Sequence, residues 1–122
     1  MPDSGITYLL PRLVGPARAT RILMLGQVVT AAEAERIGLA DHVVADESLM
    51  TATTALAREL AEGPAVALSF TKRALQVADE STLERQLEFE SWAQLSAFRS
   101  ADFTEGMTSF AEHRAPVFGR DL

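Results

Sequence analysis

Two Gly-Pro pairs, Gly15-Pro16 and Gly63-Pro64, cut this chain into helix-length pieces. Glycine ends a helix by adopting a left-handed conformation. Proline opens the next one, because its fixed φ suits the first turn and its missing N–H has no helical partner there anyway. Gly26 and Gly38 repeat the stop signal. Thr30-Ala-Ala-Glu33, Ser81-Thr-Leu-Glu84 and Asp102-Phe-Thr-Glu105 each fit a capping box, in which a side-chain oxygen accepts from the third N–H of the helix. Between these signals the apolar residues recur at three and four. The pattern predicts helices over about 7–14, 16–25, 30–38, 47–62 (capped by Asp46), 64–78, 82–99 and 102–113, the first interrupted or kinked at Pro11. Some of these are short, so the expectation is about six helices. Val43 and Val44 make 39–45 the only strand candidate. The fold class is mainly α.

Composition narrows the function classes. With 122 residues the chain is sized for one domain. Its net charge of −6 disfavours a general nucleic-acid binder, which needs a basic surface. Ten of the 11 basic residues are Arg, and Lys72 is the only Lys. There is no Cys, hence no disulfide framework, thiolate metal site or Cys nucleophile. No apolar stretch approaches the roughly 18–20 residues that span a bilayer, and the N-terminus lacks a signal-peptide pattern. The expectation is a single helical domain over 1–122, cytoplasmic, with no membrane and no nucleic-acid partner.

Few polar residues point to chemistry. His42 and His113 have no metal-ligand spacing, so no metal site is expected. Glu84, Glu88 and Glu90 read as a solvated helix face, and Lys72-Arg73 as two exposed charges. Pro2-Asp3-Ser4-Gly5 is more informative: it would present backbone N–H groups just ahead of a helix, where an anion or a carbonyl oxygen can bind, although a helix-capping turn has the same pattern. The 64–78 and 82–99 helices are apolar over more than a narrow stripe, as if each had two buried sides.

Five stretches in order resemble the crotonase superfamily of enoyl-CoA hydratase/isomerase proteins. Pro2 to Gly15 is similar to P-x-x-G-x-T-x-x-L-P-R-x-V-G, and Leu25 to Ala34 to the family segment that ends A-x-E-A. Gly38 to Val44 is similar to G-L-V-x-x-V-V, and Gly63 to Lys72 to the family segment that opens G-P and closes on Lys. Asp102 to Phe110 with Arg114 to Phe118 resembles D-x-x-E-G-x-x-A-F followed by R-x-P-x-F.

The resemblance covers the C-terminal half of that family. It implies the helical, trimerisation portion of a crotonase-like fold, with 1–45 as the end of the acyl-CoA core and 46–122 as a helical association region. The oxyanion-hole donors and the two catalytic Glu positions belong to the other half, so no catalytic residue is carried over to this chain. Asp3, Ser4 and Gly5 resemble the loop bordering the acyl site. Phe118 resembles the aromatic that packs near the CoA adenine, and Arg120 a basic residue near the CoA phosphates, although Gly119 stands where Lys is common. No cofactor is implied beyond a coenzyme A thioester as substrate. The implied partner is a second copy of the chain in a trimer-based homo-oligomer, with acyl-CoA binding once the N-terminal half is supplied. Two hypotheses stay open at this point: part of an acyl-CoA enzyme, with lipid or aromatic-acid degradation as its setting, or a non-catalytic self-association module from a truncated gene. Trp92, Phe89 and Phe98 are the expected contact anchors.

Overall fold

The computed structural model describes residues 1–119 and divides the chain into two compact units, Met1–Leu49 and Met50–Leu122. The first unit holds α1 (Ile6–Val14), α2 (Pro16–Leu25), α3 (Ala31–Arg36) and a 3-10 turn at Asp46–Ser48. Its core is Leu10 and Val14 of α1, Ala19 of α2 and Ile37 at the end of α3, with Ile22, Leu23 and Val29 packed around them. Gly15 links α1 to α2 at φ 82°, with Pro16 at the first turn of α2 as the Gly-Pro signal requires. Pro11 does not interrupt α1. An interior proline costs about 3 kcal/mol, so burial of Leu10 and Val14 on either side of it must offset that loss.

Thr30 caps α3, its hydroxyl accepting from the Glu33 N–H at 3.3 Å. Glu33 does not reach back to complete the box; its carboxylate pairs with Arg36 at 2.6 Å instead. The segment 39–45 is not a strand, and none forms among the described residues. A strand needs a neighbour to take up its N–H and C=O groups. Here the Val43 N–H donates to the Glu35 carboxylate at 3.0 Å, so the segment is tied to α3 rather than to a second strand.

The second unit contains α4 (Leu49–Ala61), α5 (Ala65–Val77), a 3-10 turn at Ala78–Glu80, α6 (Leu83–Ala97) and α7 (Ala101–Ala111). Seven α-helices are therefore present among the described residues, as the mainly helical expectation requires. None is long and apolar enough to cross a membrane. Three predicted starts move. Asp46 lies in the 3-10 turn ahead of α4 rather than capping it. Thr82, not Ser81, caps α6 by accepting from the Arg85 N–H. Ser100, not Asp102, caps α7 by accepting from the Phe103 N–H. Between α4 and α5, a Cβ on Gly63 would stand 2.8 Å from Leu68 Cδ1 and 3.3 Å from the Leu60 carbonyl oxygen, so a side chain there would make Leu68 shift.

The faces of α6 explain its broad apolar character. Gln86, Phe89, Ala93 and Ala97 turn toward α5, where Phe89 meets Phe70 edge-on with ring centroids 6.3 Å apart. The Gln86 amide reaches the Ala74 carbonyl of α5 at 3.0 Å. Leu83, Leu87 and Leu95 occupy the other face and Trp92 is 69% exposed, while Phe98, just past the end of α6, packs on Phe103 of α7 with ring centroids 4.7 Å apart. The α4 stripe of Leu49, Leu56 and Leu60 is exposed as well. Within this unit the buried residue among the described ones is Ser109, whose hydroxyl donates to the Gly106 carbonyl one turn back.

Two expectations follow. Leu10→Ala should destabilise the first unit by about 2–5 kcal/mol in urea denaturation, whereas Leu13→Ala, at a site 59% exposed, should stay within about 0.5 kcal/mol. Equal losses would show that the Leu10 cluster is not the core. The second concerns acid. Arg36 holds the Glu33 carboxyl below the ordinary glutamate value of 4.5, and the Glu84 backbone N–H and Thr82 hydroxyl do the same for Glu84. Both contributions are complete above 4.5 and are lost as pH falls through the lower folded values. The double variant Glu33→Gln/Glu84→Gln should therefore melt with a flatter acid limb; an unchanged slope would refute it.

Candidate functional site

Asp3, Ser4 and Gly5 fold into one tight turn in front of α1. The Ile6 N–H donates to the Asp3 carbonyl at 3.1 Å, and Ser4 and Gly5 both have positive φ, 52° and 80°. Glycine takes such an angle freely, while serine is strained there, which leaves Ser4 the unusual residue of the pair. No side chain caps α1. Asp3 and Ser4 border a hollow of about 690 Å³ with walls from Leu9, Leu13, Ile22 and Leu23. The hollow is open, with Leu9 and Leu13 of its wall 54% and 59% exposed, so it is an apolar concave face with polar groups at one edge. Gly5 shapes the turn and does not line the hollow.

Phe118 lies in the second unit, on the tail that follows α7. Its ring is half-buried against Gly106 of α7, where an added Cβ would come 3.8 Å from the ring edge. Arg120 lies outside the described residues. The tail is held by polar groups that the sequence motif contains but that spacing alone does not explain. Arg114 makes a bidentate pair with Glu105, at 2.5 and 3.0 Å, and a further bond to Glu112 at 2.6 Å. Hydrogen bonds that Arg114 donates to Glu105 and then to Glu112 raise its pKa, so the guanidinium stays charged at any working pH. Glu105 also accepts from the Val117 N–H at 2.8 Å. Asp102 accepts from two directions, from the Gly119 N–H at 3.0 Å and from the Ala65 N–H at the start of α5 at 3.1 Å.

This is the physical reason Asp102 is not a helix cap. Its carboxylate is spent on α5 and the tail, and Ser100 supplies the cap for its own helix. A local pattern search sees only the three-residue spacing; the partners of Asp102 lie 37 and 17 residues away. The other polar candidates are peripheral. His42 Nδ1 is 3.9 Å from Glu35 on an exposed surface, and His113 closes α7 at φ 55°. Among the described residues no three His, Asp or Glu gather as a metal-ligand set. Lys72 and Arg73 are exposed on α5.

Comparison with known proteins extends along the whole chain. The family model described as enoyl-CoA hydratase/isomerase matches residues 1–121. The chain is 42% identical over 118 residues to the 1,2-epoxyphenylacetyl-CoA isomerase of Escherichia coli K12, covering 97% of this chain and 45% of the relative. It is 41% identical over 121 residues to a probable enoyl-CoA hydratase of Mycobacterium tuberculosis H37Rv, covering 98% of this chain and 42% of that protein. A solved enoyl-CoA hydratase subunit from Geobacillus kaustophilus HTA426 superimposes with a TM-score of 0.89 at 41% identity, over 98% of this chain and 46% of that one. The chain thus spans a little under half the length of the curated relatives it matches. The match from residue 1 to residue 121 establishes that the chain belongs to the enoyl-CoA hydratase/isomerase family.

Proposed function

We propose that this chain is the helical C-terminal portion of an enzyme acting on acyl-CoA thioesters, and that by itself it turns none of them over. The observation that carries this reading is the combination of a family match along essentially the whole chain with a span of only about 45% of the relatives. Thioester chemistry of this kind needs two preorganised N–H donors for the enolate oxygen, a contribution of roughly 3–4 kcal/mol per donor in comparable sites. It also needs a carboxylate within hydrogen-bond reach of the α-carbon or of water. The resemblance assigns both to residues that are not among these 122.

Within such an enzyme, Asp3, Ser4 and Gly5 border the acyl group, a role supported by the hollow beside Asp3 and Ser4. Phe118 packs against the adenine of coenzyme A, and Arg120 stands near its phosphates. The exposed faces of α4 and α6 cover themselves against copies of the chain in a trimer-based assembly. Relatives named for an epoxyphenylacetyl-CoA and for enoyl-CoA favour a thioester substrate without choosing the acyl group.

A second reading, a non-catalytic self-association module, is favoured by the exposure of Leu83, Leu87, Trp92 and Leu95 on a single helix. Calorimetric titration with coenzyme A separates the two, since the module should give no heat. For catalysis, purified chain mixed with an α,β-unsaturated acyl-CoA should leave the conjugated thioester absorbance at the buffer rate. Turnover above that rate would overturn the inactive-chain reading.

A further inference from the structure

We propose that Asp102 and Glu105 are positioning residues that latch the tail after α7 and thereby set Phe118 for coenzyme A; the ligand side of this inference rests on the role proposed for Phe118 above. The two backbone amides that flank Phe118 are both held by carboxylates. Val117 N–H donates to Glu105 Oε1 at 2.8 Å, and Gly119 N–H donates to Asp102 Oδ1 at 3.0 Å. The two acids are three residues apart on α7 and so share one face of the helix. The Phe118 ring lies over Gly106, beside Glu105, at a distance where even an added Cβ would make an ordinary contact of 3.8 Å.

Each carboxylate is itself anchored. Asp102 Oδ2 takes the Ala65 N–H of α5 at 3.1 Å, and Glu105 takes the forked Arg114 guanidinium. Pro116 has no N–H and a fixed φ, so the tail cannot continue as helix. Having no strand or helix ladder of its own, 115–119 depends on these side chains for its course. Bonds to ionised acceptors are shorter and stronger than neutral ones, which suits two of them to holding an irregular segment. The ring between the two amides is left half-buried. Part of it is open to a ligand, and the rest is fixed by the helix beneath.

The test uses the full, isotopically labelled chain, with amide exchange and calorimetric titration of coenzyme A. Glu105→Gln should speed exchange at Val117 by about tenfold or more, as expected for loss of a charge-assisted bond, with α6 amides unchanged. Val117→Pro deletes the donor and leaves both acids in place, so it serves if Glu105→Gln loosens α7 itself; Gly119 then reports the release. Both variants should weaken coenzyme A by about three- to tenfold, the range of a lost aromatic contact. Phe118→Leu should weaken it equally, and adding Glu105→Gln to Phe118→Leu should cost nothing more. Unchanged exchange at Val117 in Glu105→Gln and at Gly119 in Val117→Pro would overturn the latch. Released amides with coenzyme A affinity intact, alongside a weakened Phe118→Leu, would overturn the positioning role. No binding by the unaltered chain, or full affinity in Phe118→Leu, would overturn the role of Phe118 and the ligand side of the latch with it.

Discussion

Hydrophobic burial is the term this chain does not complete within either unit. In the first, a small cluster around Leu10, Val14, Ala19 and Ile37 is closed off from water. In the second, α5 meets α6 at Phe70 and Phe89, and Phe98 meets Phe103 of α7 with ring centroids 4.7 Å apart, while a second apolar face of α6 stays open. Leu83, Leu87, Trp92 and Leu95 would together gain on the order of 10 kcal/mol if they were fully covered. That is comparable to the whole stability of an ordinary domain. The proposed assembly follows from this imbalance: the largest favourable term available to the chain is one that it cannot realise alone.

Polar contacts take on a correspondingly larger share of the ordering in the second unit. Asp102 ties the start of α5 to the tail, and Glu105 gathers Arg114 and Val117. Glu105 is 21% exposed and Arg114 39%, so the pair sits at the surface and its value lies in geometry more than in strength. Their geometry is also directional in a way that apolar contact is not. A hydrophobic face accepts many partners at many angles, whereas a bidentate guanidinium and two flanking amides admit one course of the backbone.

The parts of the fold legible in the sequence are those decided within four or five residues. The Gly15-Pro16 junction and the Thr30 cap depend on φ preferences and on an oxygen three residues from an N–H, and both form as read. Ser100 shows how such reading goes astray, because a cap one or two residues upstream satisfies the same helix and frees Asp102 for distant partners. The segment around Val43 has strand-forming side chains, but pairing is a two-segment property and no second segment is present for it among the described residues. The same distinction governs the site. The tight turn at Asp3 to Gly5 was visible as local punctuation, and the hollow beside it was not, because its walls come from α1 and α2 together. Phe118 was visible only through family likeness, and the acids that hold its backbone emerge only once α7 and the tail lie side by side.

Ser109 bears on how such a helix tolerates sequence drift. The motif it resembles has alanine there, and the site is 3% exposed. A hydroxyl so enclosed would ordinarily carry a desolvation penalty, yet it finds the Gly106 carbonyl of its own helix at 3.0 Å. The helix therefore solvates its own intruder, and alanine and serine become nearly equivalent at a position where most other polar residues would be rejected. Neutral exchange of this kind lets a packed helix accumulate substitutions without any compensating change in its neighbours.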